Sequence, residues 1–203
     1  MKINSINSNI SFQKTLVANT AYIKDDKVCP AKIYQLNYAE DKDYFSSLNK
    51  DEKWFYSDYL DYFEMGLKET ASKKEINVES NYKTEVFAME DENDECIAVL
   101  SVETDKHRKE TNGSFFEVCP ELSYENGGRK TKYIGESFIS FISTWINDNL
   151  GTKFVINIPS ATSRVFYKKC GFKPISDGLY LPKENIEKLA QQNKSHTGVG
   201  VNF

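Results

Sequence analysis

The 203-residue chain predicts an α+β fold: a mixed, mostly antiparallel twisted sheet with flanking helices. Three observations carry this. The first half holds strand-like runs joined by short polar turns, and the second half alternates strands with apolar helices. Hydrophobic residues make up 39% and aromatics 13% of the chain, enough to fill one sizeable core.

Residues 1 to 29 are rich in Asn, Ser and Lys with little periodicity, and predict a flexible extension with one short strand near Thr20 to Ile23. Ala31 to Tyr38 alternates apolar and polar residues and opens a folded domain expected over 30–190. Asp51 to Thr70 reads as one helix. Phe55, Tyr59, Tyr62, Phe63 and Leu67 fall near helical spacing, while Asp58, Asp61 and Glu64 lie elsewhere around it.

Lys83 to Met89 and Cys96 to Glu103 predict a hairpin with a charged tip at Glu90 to Glu95. A polar loop, Asp105 to Gly113, leads into a strand at Ser114 to Val118. Gly135 to Leu150 is the clearest helix, because Phe138, Ile139, Phe141, Ile142, Trp145 and Ile146 form a broad apolar face. Gly151 ends it, and the strand Lys153 to Ile158 follows at once. Ser160 can cap a short helix running to Lys169, and Gly171 stops it. A short strand at Gly178 to Leu181 and a helix at Pro182 to Gln192 close the domain. Residues 191–203 read as a flexible tail.

The net charge of -4 argues against a general nucleic-acid binder. Cys29, Cys96, Cys119 and Cys170 are widely spaced, and only His107 and His196 add imidazole, so no metal site is expected and the thiols read as buried. Both histidines read as loop and tail residues without catalytic duty. The N-terminus lacks the apolar core of a signal peptide, and no run approaches the ~18 apolar residues of a membrane helix. The expectation is a reduced, cytoplasmic protein with no membrane partner.

Three segments carry chemistry. The strand Ser114 to Val118 ends in Val118-Cys119-Pro120. The basic turn Lys130-Thr131-Lys132-Tyr133-Ile134-Gly135, with Arg129 before it, opens the long helix, where free backbone N–H groups and the helix dipole suit an anion. The third is Phe166-Tyr167-Lys168-Lys169-Cys170-Gly171-Phe172. In this order the three segments resemble the coenzyme-A-binding half of the GNAT superfamily of acyltransferases, over about residues 114–172.

The resemblance implies an acetyl-coenzyme A-dependent N-acetyltransferase acting by direct attack in a ternary complex. It implies a splay between the strands at 114–118 and 153–158 that admits the pantetheine arm, with Phe116 and Val118 beside it and backbone N–H groups holding the acyl carbonyl. The pyrophosphate is expected on Lys130, Thr131, Lys132, Tyr133, Ile134, Gly135 and Glu136. Lys130 stands where the family has Arg or Gln, Tyr133 where it has its first glycine, and the loop from Pro120 to Lys130 is longer than the family's turn. Ser160 takes the place of the family's Asn. Tyr167 is the expected general acid toward the leaving thiolate.

Glu117, which alternates with Phe115 and Cys119, is a candidate base. A plainer reading stands beside each of these: a basic turn capping a helix, core residues at Phe116 and Val118, a solvated glutamate, a packed tyrosine. The region Tyr38 to Thr70 interleaves aromatics with carboxylates, which favours a cation and hence an amine acceptor, either a small molecule or a protein. A non-catalytic domain of the same fold, used for binding, is the alternative.

Overall fold

The computed structural model describes residues 14–37, 41, 43–54, 57, 60–75, 81–122, 130–157 and 159–203. Its strands are β1 (Thr15–Lys24), β2 (Lys27–Gln35), β3 (Tyr82–Asp91), β4 (Cys96–Asp105), β5 (Glu110–Val118), β6 (Thr131–Lys132), β7 (Lys153–Asn157), β8 (Lys173–Pro174) and β9 (Gly178–Leu181). They form one sheet in the order β6-β1-β2-β3-β4-β5-β7-β9-β8. Every pairing is antiparallel except β5 with β7. The helices are α1 (Tyr44–Leu48), α2 (Leu60–Glu75), α3 (Ile134–Asn149), α4 (Ala161–Lys169) and α5 (Lys183–Thr197).

Strand alternation sends successive side chains to opposite faces, and each face buries its own core. Phe87 and Met89 join Phe138, Ile142 and Phe154 on the side of α3. Val86 and Ala88 join Phe45, Trp54 and Phe63 on the side of α1 and α2. Each fully buried aliphatic or aromatic side chain contributes about 1.5–3 kcal/mol toward holding these layers together. Among the described residues no helix is long and apolar enough to cross a membrane.

Four expectations need correction. Residues 15–29 are not a loose lead-in: they build β1 and the start of β2. The pattern was hidden because small residues take buried positions of β1, Ala18 and Thr20 on the face of α3 and Ala21 on the other. Ser137 Oγ lies 2.7 Å from the Ala21 carbonyl it donates to. Residues 191–203 are not a loose tail either. α5 continues to Thr197, Gly198 ends it at φ 71°, and Asn202 exchanges backbone bonds with Asn19 at 2.8 and 2.9 Å.

The single helix expected over Asp51 to Thr70 is divided into a 3-10 turn at Glu52–Trp54 and α2. Trp54 is 1% exposed and its Nε1 donates to the Cys96 carbonyl at 3.2 Å, a tertiary contact that turns the chain. Phe55, Asp58 and Tyr59 lie outside the described residues. The polar loop before Ser114 is shorter than expected, and β5 begins at Glu110. Asp105 Oδ1 accepts the N–H groups of His107 and Arg108, Lys109 takes φ 51°, and the buried Thr104 and Thr111 meet across the hairpin at 3.1 Å.

Candidate active site

β5 and β7 run parallel only from Glu110–Lys153 to Asn112–Val155. Beyond that the side chain of Asn112 replaces the ladder: its Oδ1 accepts the Asn157 N–H at 3.0 Å. A bulge in β5 leaves Ser114 as the extra residue between Gly113 and Phe115, which pair with Val102 and Ser101 of β4, and it bends β5 at the same level. Gly113 packs closely on β7: a Cβ there would come within 2.6 Å of Ile156 Cδ1, which would have to move aside. The two strands therefore part after Asn112, which is the splay that the resemblance implies.

The end of β5 aims its backbone into that opening. The Cys119 N–H donates to the Ile97 carbonyl at 2.9 Å, so the ladder bond at that level goes to β4. Strand alternation then turns the N–H and C=O of Val118 to the opposite side, where β7 has already departed. An N–H in that position can polarise a carbonyl.

The side chains of β5 divide between two faces. Phe116 and Val118 pack on the α3 side. Phe116 meets Phe138 edge-on at 5.9 Å and stacks with Phe166 of α4 at 6.2 Å and 27°. Phe166 in turn lies 5.2 Å from Tyr167, which is also 5.3 Å from Phe172. Tyr167 is 6% exposed, and burial raises its phenol above the ordinary value, with a smaller contribution from Cys170. The hydroxyl is therefore protonated throughout the physiological range. Ser160 caps α4, accepting the Ser163 N–H at 3.2 Å, as its position predicts.

Glu117 points to the other face. Ser57 Oγ donates to its Oε2 at 2.6 Å, and its neighbour Phe115 stacks on Tyr62 at 5.0 Å. Phe116 and Tyr167 thus share one apolar cluster through Phe166, whereas Glu117 belongs to the side of α1 and α2.

The loop before α3 takes an unexpected path. Thr131 and Lys132 form the edge strand β6, which pairs with β1. Lys130 Nζ lies 3.3 Å from Asp25 Oδ1 and Lys132 Nζ lies 3.0 Å from Asp26 Oδ1, so both cations face acids of the β1–β2 turn. Arg129 lies outside the described residues. Tyr133 is the N-cap of α3 in the left-handed conformation, φ 70° and ψ 5°, and its carbonyl accepts the Ser137 N–H at 2.9 Å. That conformation explains why a glycine suits this position, since a side chain strains it.

The N–H groups of Ile134, Gly135 and Glu136 form the first turn of α3, where no preceding helical carbonyl can satisfy them. Gly135 packs against the site: a Cβ there would lie 3.1 Å from Phe166 Cζ and 3.5 Å from Phe116 Cε1.

Two residues of α5 complete this region. His196 Nδ1 is 2.8 Å from Glu136 Oε1, and Gln192 Nε2 donates to Glu136 Oε2 at 2.7 Å. The His196 ring stacks on Tyr133 at 4.4 Å and 17°. His196, expected in a loose tail, stands instead in the last turn of α5, held by these contacts. Gln192 and His196 stand four apart, the spacing of one helix face, but that signal is lost once the tail is taken as loose.

A cavity of about 380 Å³ opens where β5 ends, lined by Tyr22, Asp91, Ile97, Cys119, Leu122 and Thr131 among others. Among the described residues no group of three or more His, Cys, Asp or Glu side chains is placed to hold a metal ion.

No family model matches the chain, and no curated protein matches it. Solved structures do. A spermidine N-acetyltransferase SpeG chimera from Vibrio cholerae and hSSAT is similar at 14% identity and a TM-score of 0.52, over 77% of this chain and 98% of that one. A mutant form of the spermidine/spermine N-acetyltransferase SpeG from Vibrio cholerae is similar at 13% identity and a TM-score of 0.51, over 78% and 96%. These likenesses show the fold: the mixed sheet and its flanking helices are those of GNAT acetyltransferases.

Proposed function

We propose that this chain, which has the GNAT fold, is an N-acetyltransferase that moves an acetyl group from acetyl-coenzyme A to an amine by direct attack in a ternary complex. The observation that carries the reading is the parting of β5 and β7 after Asn112, with the Val118 N–H turned into the gap and Phe116, Phe166 and Gly135 packed beside it. Acetyl-coenzyme A supplies the activated thioester. The Val118 N–H polarises its carbonyl, and the first-turn N–H groups of α3 hold the pyrophosphate. Tyr167 gives its proton to the departing thiolate. Glu117 takes a proton from the incoming ammonium, directly or through water.

The similar solved structures are named for acetylation of spermidine or spermine, which supports an amine acceptor here. The expectations of an acetyl donor and a cytoplasmic setting belong to the same proposal, as does one domain over 30–190, with its N-terminal limit moved back to include β1.

One observation favours the alternative, a binding module of the same fold without catalysis. Lys130 and Lys132 are paired with Asp25 and Asp26 instead of facing the α3 N-terminus unpaired. Thermal unfolding with millimolar acetyl-coenzyme A, and with a nucleotide fragment lacking pantetheine, separates the two. At 100 times its Kd a ligand stabilises the folded chain by ~2.7 kcal/mol. A shift specific to acetyl-coenzyme A, followed by amine-dependent thiol release, is expected. The absence of any shift moves the assignment to the binding module.

A further inference from the structure

We infer that His196 is a positioning residue of the cofactor loop, holding the Tyr133 ring in one orientation so that the first turn of α3 stays open to the pyrophosphate. The inference rests on the proposed reading of that turn. Tyr133 occupies a left-handed N-cap where a glycine would leave the helix end clear. Its side chain springs from the residue just before the N–H groups of Ile134, Gly135 and Glu136. A freely rotating phenol ring at that point sweeps the space an anion must enter.

The contacts of α5 remove that freedom. The His196 ring lies nearly parallel to the Tyr133 ring at 4.4 Å, and its own orientation is set by Glu136 Oε1 at 2.8 Å. Gln192 fixes the other oxygen of Glu136 at 2.7 Å, and Glu136 is only 8% exposed. The brace thus grips the loop at Tyr133 and Glu136, the cap and the third residue of the helix. Behind it Asn193, 0% exposed, meets Ser137 Oγ at 2.7 Å and ties α5 to the next residue of α3. His196 touches neither Phe116 nor Tyr167 in any ring contact, so its part is orientation of the loop and not chemistry.

The test is a double-mutant cycle read by calorimetric titration with coenzyme A. His196→Ala should weaken binding by about tenfold, an ordinary coupling for residues in contact. Turnover at saturating donor should change by less than about twofold, so the effect falls on KM. Tyr133→Gly removes the ring and the backbone strain together, and in that background His196→Ala should no longer matter. His196→Phe, which keeps the stacking surface without the Glu136 bond, should recover part of the affinity and serves as the second variant if the alanine form is poorly folded. Equal weakening by His196→Ala in both backgrounds would mean a general role in docking α5 and would overturn the inference. So would a parent that binds coenzyme A with the same affinity as His196→Ala. A parent that does not bind coenzyme A at all would remove the functional reading itself, and this inference with it.

Discussion

Lys130 and Asp25 are joined twice: the Asp25 N–H donates to the Lys130 carbonyl at 2.9 Å, and the two side chains meet at 3.3 Å. The loop that opens α3 is therefore fastened to the β1–β2 turn by its backbone, and its lysines are drawn toward that turn.

Freeing those lysines should strengthen coenzyme A binding. Asp25 and Asp26 form a two-residue hairpin loop with φ of 50° and 57°, the conformation that an Asn-Gly pair adopts most readily. The double substitution Asp25→Asn with Asp26→Gly keeps the turn and removes both carboxylates. Affinity should rise severalfold at low ionic strength, and the gain should shrink near 0.15 M salt, where the screening length is about 8 Å. Unchanged affinity at every salt concentration would show that Lys130 and Lys132 do not meet the ligand.

Lys14 should be worth more to stability than any surface cation. Its ammonium pairs with both carboxylate oxygens of Glu90, which is 1% exposed, and lies 4.5 Å from the Tyr34 ring centre. Tyr44 donates its hydroxyl to Glu90 Oε1 at 2.8 Å. Lys14→Met leaves the carboxylate buried without its cation and should cost about 3 kcal/mol. Adding Glu90→Gln should recover part of that loss. Urea unfolding measures it, with the midpoint falling and the slope unchanged. A loss under about 0.5 kcal/mol would mean that water screens the pair.

What the sequence made legible follows from how local each signal is. Phe138, Ile139, Phe141, Ile142 and Ile146 repeat on one helical face, so α3 was visible. The β3–β4 hairpin was visible too, because the charged run Glu90 to Glu95 separates two strand runs. Asp91 Oδ1 in fact accepts the N–H groups of Asn93 and Glu95 to form that turn. The break after Trp54 was not legible, since it depends on a carbonyl 42 residues away. The site divides the same way. A basic turn before a helix and a tyrosine before Gly171-Phe172 can be read from spacing. That Lys130 faces Asp25 and His196 faces Tyr133 depends on β1, whose small and polar residues hid most of its length, and on the last turn of α5, which runs past the helix end expected at Gln192.

Alkaline pH should destabilise the fold earlier than the exposed lysines alone would predict. Burial pushes the Cys119 thiol up to about 11 and the Cys170 thiol up to about 12, from an ordinary 9.0. The same burial raises the phenols of Tyr22, Tyr44 and Tyr167. Each folded value lies above the unfolded one, so the unfolded chain loses these protons first. The stability they contribute is complete below about pH 9 and declines as pH rises through about 11 and 12. The thermal midpoint should be flat from about pH 7 to 9 and fall steeply above. A midpoint that holds to about pH 11.5 would contradict the burial of these groups.

Tyr167 supplies the sharpest test of the chemistry. Its ring is wedged between Phe166 and Phe172, and no hydrogen bond to its hydroxyl is formed among the described residues. Tyr167→Phe should therefore preserve the packing and change stability by less than about 1 kcal/mol. Affinity for coenzyme A should also hold, because the proposed anchors of the cofactor are backbone groups of α3 and β5. Only the proton delivered to the leaving thiolate is lost, and a general acid contributes roughly 10²- to 10⁴-fold. Single-turnover rates should fall by about 10²-fold, at the lower end of that range. Burial raises the phenol, so the parent's rate should show no alkaline decline due to Tyr167 up to about pH 10. If the phenylalanine variant turns over as fast as the parent while binding the donor equally well, Tyr167 is a packing residue and the thiolate leaves without its help.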